Sequence, residues 1–443
     1  MINIEKESGV NKKTSVEAEA SNSGNKKGKK NIRWYITSTL ALGMANAYFD
    51  RVALSVALPL MITTVDLTNT QIGIALGAFF WSYTLLQVPA GVIVDRFGVR
   101  KPYIWSYVLW SIASAGTALT YTFGFLLAIR ILLGVGEAMI APASMRYIRI
   151  HFEENLRGKA VGLYMSGTKI GPAIGFPLAG FLIAAFGWQS MFLIMGLGGL
   201  IFLIPWIVWV KSDDPAALSQ KEQKEIAAQT KAKESKWDTG SMWEIMRSPV
   251  LWGILLGTFC YMYFVYYSMT WMPLYFNERF GMSIKEMAWY PGIAFGGMAV
   301  VVWLGGYAAD RVIEKGFNAV SVRKGFAILG FVLASSQTIA AFIDNETIML
   351  ILAVVSLWGL GLTTANYWAL THTLIPGGRI GTIVGIQNTA ANLAGVIAPM
   401  LTGVLIDLTG SFDAPIKAVG IFLALGILGY VFLVREKYAP VKD

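Results

Sequence analysis

The stretch Gly91-Val92-Ile93-Val94-Asp95-Arg96-Phe97-Gly98-Val99-Arg100-Lys101 carries three cations and one anion. It joins two apolar runs, 71–94 and 102–120. Each run is close to the roughly 20 residues that a bilayer-crossing helix needs. A short basic turn between two such runs is a loop held at a membrane surface. Outward from it, further runs lie at 34–62, 122–147, 159–186 and 189–210. Beyond a polar stretch come 249–276, 287–312, 324–343, 347–372, 381–408 and 415–434. The pattern predicts twelve spans in two sets of six, numbered here in chain order.

Composition agrees. The 443 residues are 55% hydrophobic and 14% charged, with a mean hydropathy of +0.55. Soluble chains carry about a quarter charged residues, so a soluble enzyme and a disordered scaffold are both excluded. One cysteine, Cys260, allows no intramolecular disulfide and no thiolate cluster. His151 and His372 have no metal-site spacing. No metal or cofactor is expected.

The net charge of +9 does not point to nucleic acid. Lys26, Lys27, Lys29, Lys30 and Arg33 precede span 1, and alternate loops carry Arg96, Arg100, Lys101, Arg146, Arg149, Arg157, Lys159, Arg311, Lys315, Arg323 and Lys324. The opposite loops hold Arg279, Lys285 and Lys417. Positive loops stay cytoplasmic, so both termini are expected there. The expected division is a disordered cytoplasmic tail (1–31), a six-helix half (32–210), a hydrophilic cytoplasmic linker (211–248), a second six-helix half (249–435) and a short cytoplasmic tail (436–443). No removable signal peptide is recognised; the first span is expected to serve as its own insertion signal.

The halves look duplicated. Gly162, Gly180 and Gly187 match Gly385, Gly403 and Gly410 at one constant offset. Leu133-Gly134-Val135-Gly136 resembles Trp358-Gly359-Leu360-Gly361, and Pro59 has a counterpart in Pro273. The expected fold class is therefore an all-α membrane protein of twelve transmembrane helices in two pseudo-symmetric six-helix halves. Paired halves point to alternating access around a site between them.

The opening stretch resembles the signature loop of the major facilitator superfamily, G-x-x-x-D-R-x-G-x-R-K, at every defined position. A degraded copy, Gly306-Tyr-Ala-Ala-Asp310-Arg311, follows span 8. The resemblance in layout covers residues from about 32 to 435 and implies the major facilitator fold. It also implies a conformational gate of Gly91, Asp95, Arg96, Arg100, Asp310 and Arg311. Gly91 would allow close helix approach. Asp95 would face a helix N-terminus of the other half, and the arginines would meet acidic groups across the gap.

Charges inside spans are costly and usually face a cavity. Asp50 and Arg51 lie in span 1, Arg130 and Glu137 in span 4, and Lys169 in span 5. Lys169 is about ten residues into its span, roughly 15 Å deep. Structural ion pairs, Asp50 with Arg51 and Arg130 with Glu137, are one reading. Three cations against two anions nevertheless leave a surplus positive charge, which a carboxylate substrate would answer; arginine suits that grip.

A narrower resemblance follows. Tyr48-Phe49-Asp50-Arg51, the run Phe80-Trp81-Ser82-Tyr83-Thr84-Leu85-Leu86-Gln87-Val88-Pro89-Ala90-Gly91, Arg130 with Gly136-Glu137-Ala138, and Asn366-Tyr367-Trp368-Ala369-Leu370 look like the anion:cation symporter family. That family includes carriers of hexuronate, galactonate, glucarate and phthalate. The resemblance implies substrate contact for Arg51 and Arg130, and proton coupling for Asp50 and Glu137. It also turns Asn392 toward substrate, and the repeat then aims Lys169, its counterpart, into the same cavity. Tyr83, Tyr266, Tyr267 and Trp368 are candidates to line the pocket, the span 7 tyrosines having helix packing as their alternative role.

The expected function is proton-coupled import of an organic carboxylate, such as a sugar acid, by a non-enzymatic secondary transporter. It is expected to be a monomer in a plasma membrane. The short outer loops favour a bacterial inner membrane. No cofactor is expected beyond the coupling ion; sodium stays open beside the proton. The alternative is proton-antiport export of a drug or metabolite, since Gly167-x-x-x-Gly171-Pro172-x-x-Gly175 resembles the antiporter motif of export families. A sensor or membrane-embedded enzyme is disfavoured: the linker is too short for a signalling domain, and no nucleophile–base constellation appears.

Overall fold

Span 2 opens at Thr68, whose hydroxyl accepts from the Gln71 amide while the Gln71 side chain accepts from the Thr68 amide. Ser283 and Glu286 open span 8 with the same reciprocal cap. Such boxes satisfy two otherwise orphaned backbone donors. The two caps (68 and 283) have the same separation as the two motif aspartates (95 and 310), so the duplication extends to how these helices start.

The computed structural model describes residues 5–210, 242–340, 342–343, 345–375 and 379–439. Most of the expected linker (211–241) and the last four residues lie outside the described residues. The first helix runs Glu5–Val65, and its membrane-length apolar part is Ile32–Val65. The polar stretch before it, expected to be unstructured, continues the helical backbone; its Lys and Glu residues are compatible with that.

Among the described residues, ten helices are long and apolar enough to cross a membrane. The difference from twelve has two physical causes. Span 3, Arg100–Gly116, is a 17-residue helix that tightens into a 3-10 turn at Thr117–Leu119. Spans 5 and 6 form one run, Asn155–Trp209, broken by Gly187 at φ 82° and ψ 162°. Only glycine adopts that conformation readily. Its repeat partner, Gly410, ends span 11 in the left-handed region at φ 66°.

The remaining glycines refine the repeat. A Cβ on Gly136 would strike the backbone of Trp110, and one on Gly359 would strike Leu333. Both pairs are related by the offset that links Gly162 to Gly385. Gly136 therefore corresponds to Gly359, and the sequence match of Leu133–Gly136 to Trp358–Gly361 is two residues out of register. Local similarity of two Gly-x-Gly runs concealed this; the neighbouring helix decides it.

The two ends of the bundle differ. At the end bearing Asn69 and Asp407, a Cβ on Gly73 would strike the Pro399 carbonyl, and one on Gly180 would lie 2.6 Å from the Ala288 Cβ. Spans 2 and 11, and spans 5 and 8, are thus in backbone-close contact there. At the motif end, Gly91, Gly158, Gly162, Gly381 and Gly385 have open space, among the described residues, where a Cβ would stand. Leu85 and Val88 are each 77% exposed on span 2. The bundle is sealed at one end and parted at the other.

Asp407 fastens the sealed end. Its Oδ1 accepts from the Asn69 amide at 3.2 Å and from Asn69 Nδ2 at 2.9 Å, and its Oδ2 accepts from the Thr70 amide at 2.7 Å. A carboxylate on a helix N-terminus is favoured by both hydrogen bonding and the helix dipole. Asp407→Ala is expected to cost this conformation about 0.5–2 kcal/mol. A cysteine introduced at Thr70 would then react about 2- to 30-fold faster with an impermeant thiol reagent. The native Cys260 is buried and does not compete. Unchanged labelling would show that the glycine contacts alone seal this end.

Candidate functional site

Asp50 and Arg51 are adjacent on a helix, so their side chains diverge by about 100°. That divergence prevents the Asp50–Arg51 pair considered from sequence. Arg51 turns toward span 4, where its Nη2 and Nε donate to Glu137 Oε2 at 2.7 and 3.2 Å. Asp50 turns toward span 3, where Trp110 Nε1 donates to its Oδ2 at 2.7 Å and Ser114 Oγ donates to its Oδ1 at 2.5 Å. Arg130 and Glu137 are two turns apart in span 4 and do not pair. All four charged residues are buried.

Aromatic rings complete the arrangement. The Arg51 guanidinium lies 4.5 Å from the Tyr48 ring centre, 4.7 Å from Phe79 and 5.1 Å from Tyr83. Arg130 lies 5.5 Å from the same Phe79 ring. Two buried arginines thus share one ring. Cation–π contacts in desolvated settings contribute up to about 2 kcal/mol each. Arg130 donates its Nε to the Ala75 carbonyl at 3.4 Å, and among the described residues it forms no ion pair. Glu137 Oε1 is buried with no hydrogen-bond partner among the described residues.

The second half closes on this cluster. Phe80 meets Tyr266 of span 7 edge-on at 4.5 Å, and its ring packs where a Cβ on Gly395 of span 11 would stand. Asn392, buried, lies three residues before Gly395 and therefore on the same helix face. Trp368 sits 5.0 Å from Tyr367, which is 4.9 Å from Tyr261. No hydrogen bond or ring contact joins Trp368 or Asn392 to Arg51 or Arg130. Tyr267 is buried and has no ring contact with the arginines. Lys169 is partly buried, within electrostatic reach of Tyr48.

Phe79, Trp110 and Ser114 were not singled out from sequence. A signal existed: Phe79 stands one turn before Tyr83, and Trp110 one turn before Ser114, both at i,i+4 spacing.

The gate residues differ from expectation. Asp95 pairs with Arg146 of its own half, and Asp310 pairs with Arg323 at 2.9 Å. Arg100 donates to the Ile207 carbonyl at 3.3 Å. Arg311 donates to the Tyr307 hydroxyl at 2.9 Å and lies 3.7 Å from Glu314. Arg96 lies over the neighbouring Phe97 ring. With this end parted, the opposite half is out of reach, so each charge takes a nearby partner and Gly91 has no close neighbour. The antiporter-like glycines also have a packing use. A Cβ on Gly167 would strike the Ala41 carbonyl, and one on Gly171 would lie 2.6 Å from the Ala45 carbonyl, so they press span 5 onto span 1.

Comparison with known proteins extends this geometry. The uncharacterized transporter YybO of Bacillus subtilis is 31% identical, with 91% of this chain and 94% of that protein covered. The probable galactarate/D-glucarate transporter GudP of Bacillus subtilis is 30% identical, covering 94% of this chain and 93% of that protein. The hexuronate transporter of the same organism is 30% identical, covering 87% and 91%. Among solved structures, a bacterial homolog of the human lysosomal transporter Spinster superposes with a TM-score of 0.74 at 20% identity, covering 93% of this chain and 99% of that one. The D-xylose-proton symporter gives 0.73 at 17% identity, covering 92% and 99%. Residues 40–399 match the family model of the Major Facilitator Superfamily. The chain is a multi-pass membrane transporter and belongs to the major facilitator superfamily.

Proposed function

We propose that this transporter imports an organic carboxylate, of the sugar-acid type, together with protons. The observation that carries the reading is Arg130, a buried arginine beside an aromatic ring with no ion pair among the described residues. A buried cation with no carboxylate in direct contact is costly, and a substrate carboxylate would supply that contact. The relatives named for galactarate, glucarate and hexuronate support the same class. With the basic loops cytoplasmic, the parted end is the cytoplasmic one, and the conformation is inward-open.

Proton coupling has a structural basis in Glu137. Its Oε2 takes both Arg51 donors, and its Oε1 is free to receive a proton. Protonation there would weaken the hold on Arg51 and release that guanidinium to substrate. Asp50 is held by neutral donors, so it can exchange a proton without breaking an ion pair.

The test is proton uptake by proteoliposomes on adding galactonate, glucuronate or glucarate, with an uncharged sugar as control. Uptake driven by at least one acid and not by the sugar is expected. Acid transport that requires sodium would replace the proton, and proton release on substrate entry would favour the antiport alternative.

A further inference from the structure

We propose that Phe80 is a positioning residue that ties the arginine cluster to the seal between the halves. Seated against Gly395 and Tyr266, it holds Phe79 beside Arg51 and Arg130, and an anion bound at those arginines unseats it. This rests on the organic-anion reading above.

The seam between spans 2 and 11 leads there. The two helices run antiparallel through the sealed end and meet step by step along one face of span 2. A Cβ on Gly403 would strike the Asn69 carbonyl, one on Gly73 would strike the Pro399 carbonyl, and one on Gly77 would lie 3.0 Å from the Val396 carbonyl. The next step is Phe80, whose ring would lie 2.6 Å from a Cβ on Gly395. Beyond it, Leu85 and Val88 of the same helix are exposed. Phe80 therefore ends the seam. From Asn69 to Phe80 the helix rises roughly 16 Å, which reaches the middle of a hydrocarbon core about 30 Å thick.

Phe80 also joins this seam to the arginines. Phe79 and Phe80 are consecutive in a helix, so their side chains diverge by about 100°. Phe79 turns into its own half, where its ring centre lies 4.7 Å from the Arg51 guanidinium and 5.5 Å from that of Arg130. Phe80 turns to the other half, where Tyr266 meets it edge-on at 4.5 Å. The two phenylalanine rings meet edge-to-face at 5.0 Å, and both are buried. In a close-packed interior one such ring cannot shift without the other. The backbone does not absorb the shift, because a Cβ on Gly134 of span 4 would strike the Phe79 carbonyl. An anion that draws the two guanidinia onto its carboxylate moves them across the Phe79 face, and that ring displaces Phe80 from Gly395. Packed interfaces have discrete arrangements, so a small displacement at the site becomes a parted seam.

The experiment follows an impermeant thiol reagent at Thr70→Cys, on the seam's outer rim, in the full-length protein in detergent. Glucarate, glucuronate and galactonate are each added at concentrations that saturate their shift of the melting temperature. In the otherwise unaltered protein, an acid that raises the melting temperature is expected to change the labelling rate about fivefold or more, as a coupling between two sites does. Gly403→Ala and Gly395→Ala both add a methyl group to the seam, and both are expected to raise labelling without acid. Gly403→Ala is expected to keep the response to acid, and Gly395→Ala to lose it while still being stabilised by the acid. Phe80→Leu, which adds no atom to the seam, is expected to lose the response as well. An equal response in Gly403→Ala and Gly395→Ala, or a retained response in Phe80→Leu, would make Phe80 a part of the seal and nothing more. An acid that raises the melting temperature of the unaltered protein yet leaves its labelling unchanged would overturn the coupling and leave the anion reading standing. Absence of any effect of the acids on melting and labelling alike would overturn both readings.

Discussion

Arg130→Ala is expected to abolish acid-driven proton uptake while leaving the protein folded. Removing one partner of a desolvated charge contact costs about 2–5 kcal/mol or more, equivalent to roughly 30- to several-thousand-fold in binding. The fold tolerates the change because Arg130 leaves little behind. It makes one long hydrogen bond to Ala75 and shares the Phe79 ring with a like charge, Arg51. Its removal relieves that repulsion and the cost of burying the guanidinium, and forfeits the attraction of Glu137 and Asp50, so thermal stability in detergent is expected to change little. A large fall in stability, or transport that survives, would make Arg130 a structural residue.

The Arg51–Glu137 pair behaves in the opposite way. Arg51→Met leaves Glu137 buried and unpaired, and Glu137→Leu does the same to Arg51. Either change is expected to cost about 3–5 kcal/mol of stability, because the surviving charge has lost its partner in a low-dielectric interior. Arg51→Met combined with Glu137→Leu is expected to recover most of that loss, since a buried ion pair and a packed apolar pair of similar volume are often nearly equivalent. Transport is expected to stay absent in the double variant. Denaturation in detergent and proton uptake, measured on all four proteins, separate the two effects. A stability loss in the double variant equal to the sum of the single losses would mean that the residues act independently, against the 2.7 Å contact.

Much of the molecule was legible in the residues alone. Apolar runs of span length and a basic loop with a repeated copy imply a helical membrane bundle, since backbone groups in lipid must satisfy one another. The interior charges were equally visible, because Asp, Glu, Lys and Arg stand out against an apolar span. Their partners were not. Asp50 and Arg51 are neighbours in the chain, yet helical geometry sends one to Trp110 and the other to Glu137.

The sequence by itself determined the fold class, the basic-loop pattern and the five interior charges, because hydropathy and charge are local properties. The tertiary structure decided what depends on which helices touch. It placed Phe79 between two arginines, shifted the register of the repeat so that Gly136 corresponds to Gly359, and set Asp95 against Arg146. It also decided which end is closed: Gly91 and Gly403 are both small residues in apolar runs, but one meets open space and the other meets the Asn69 carbonyl. A glycine permits close approach; only the opposing helix determines whether that approach is made.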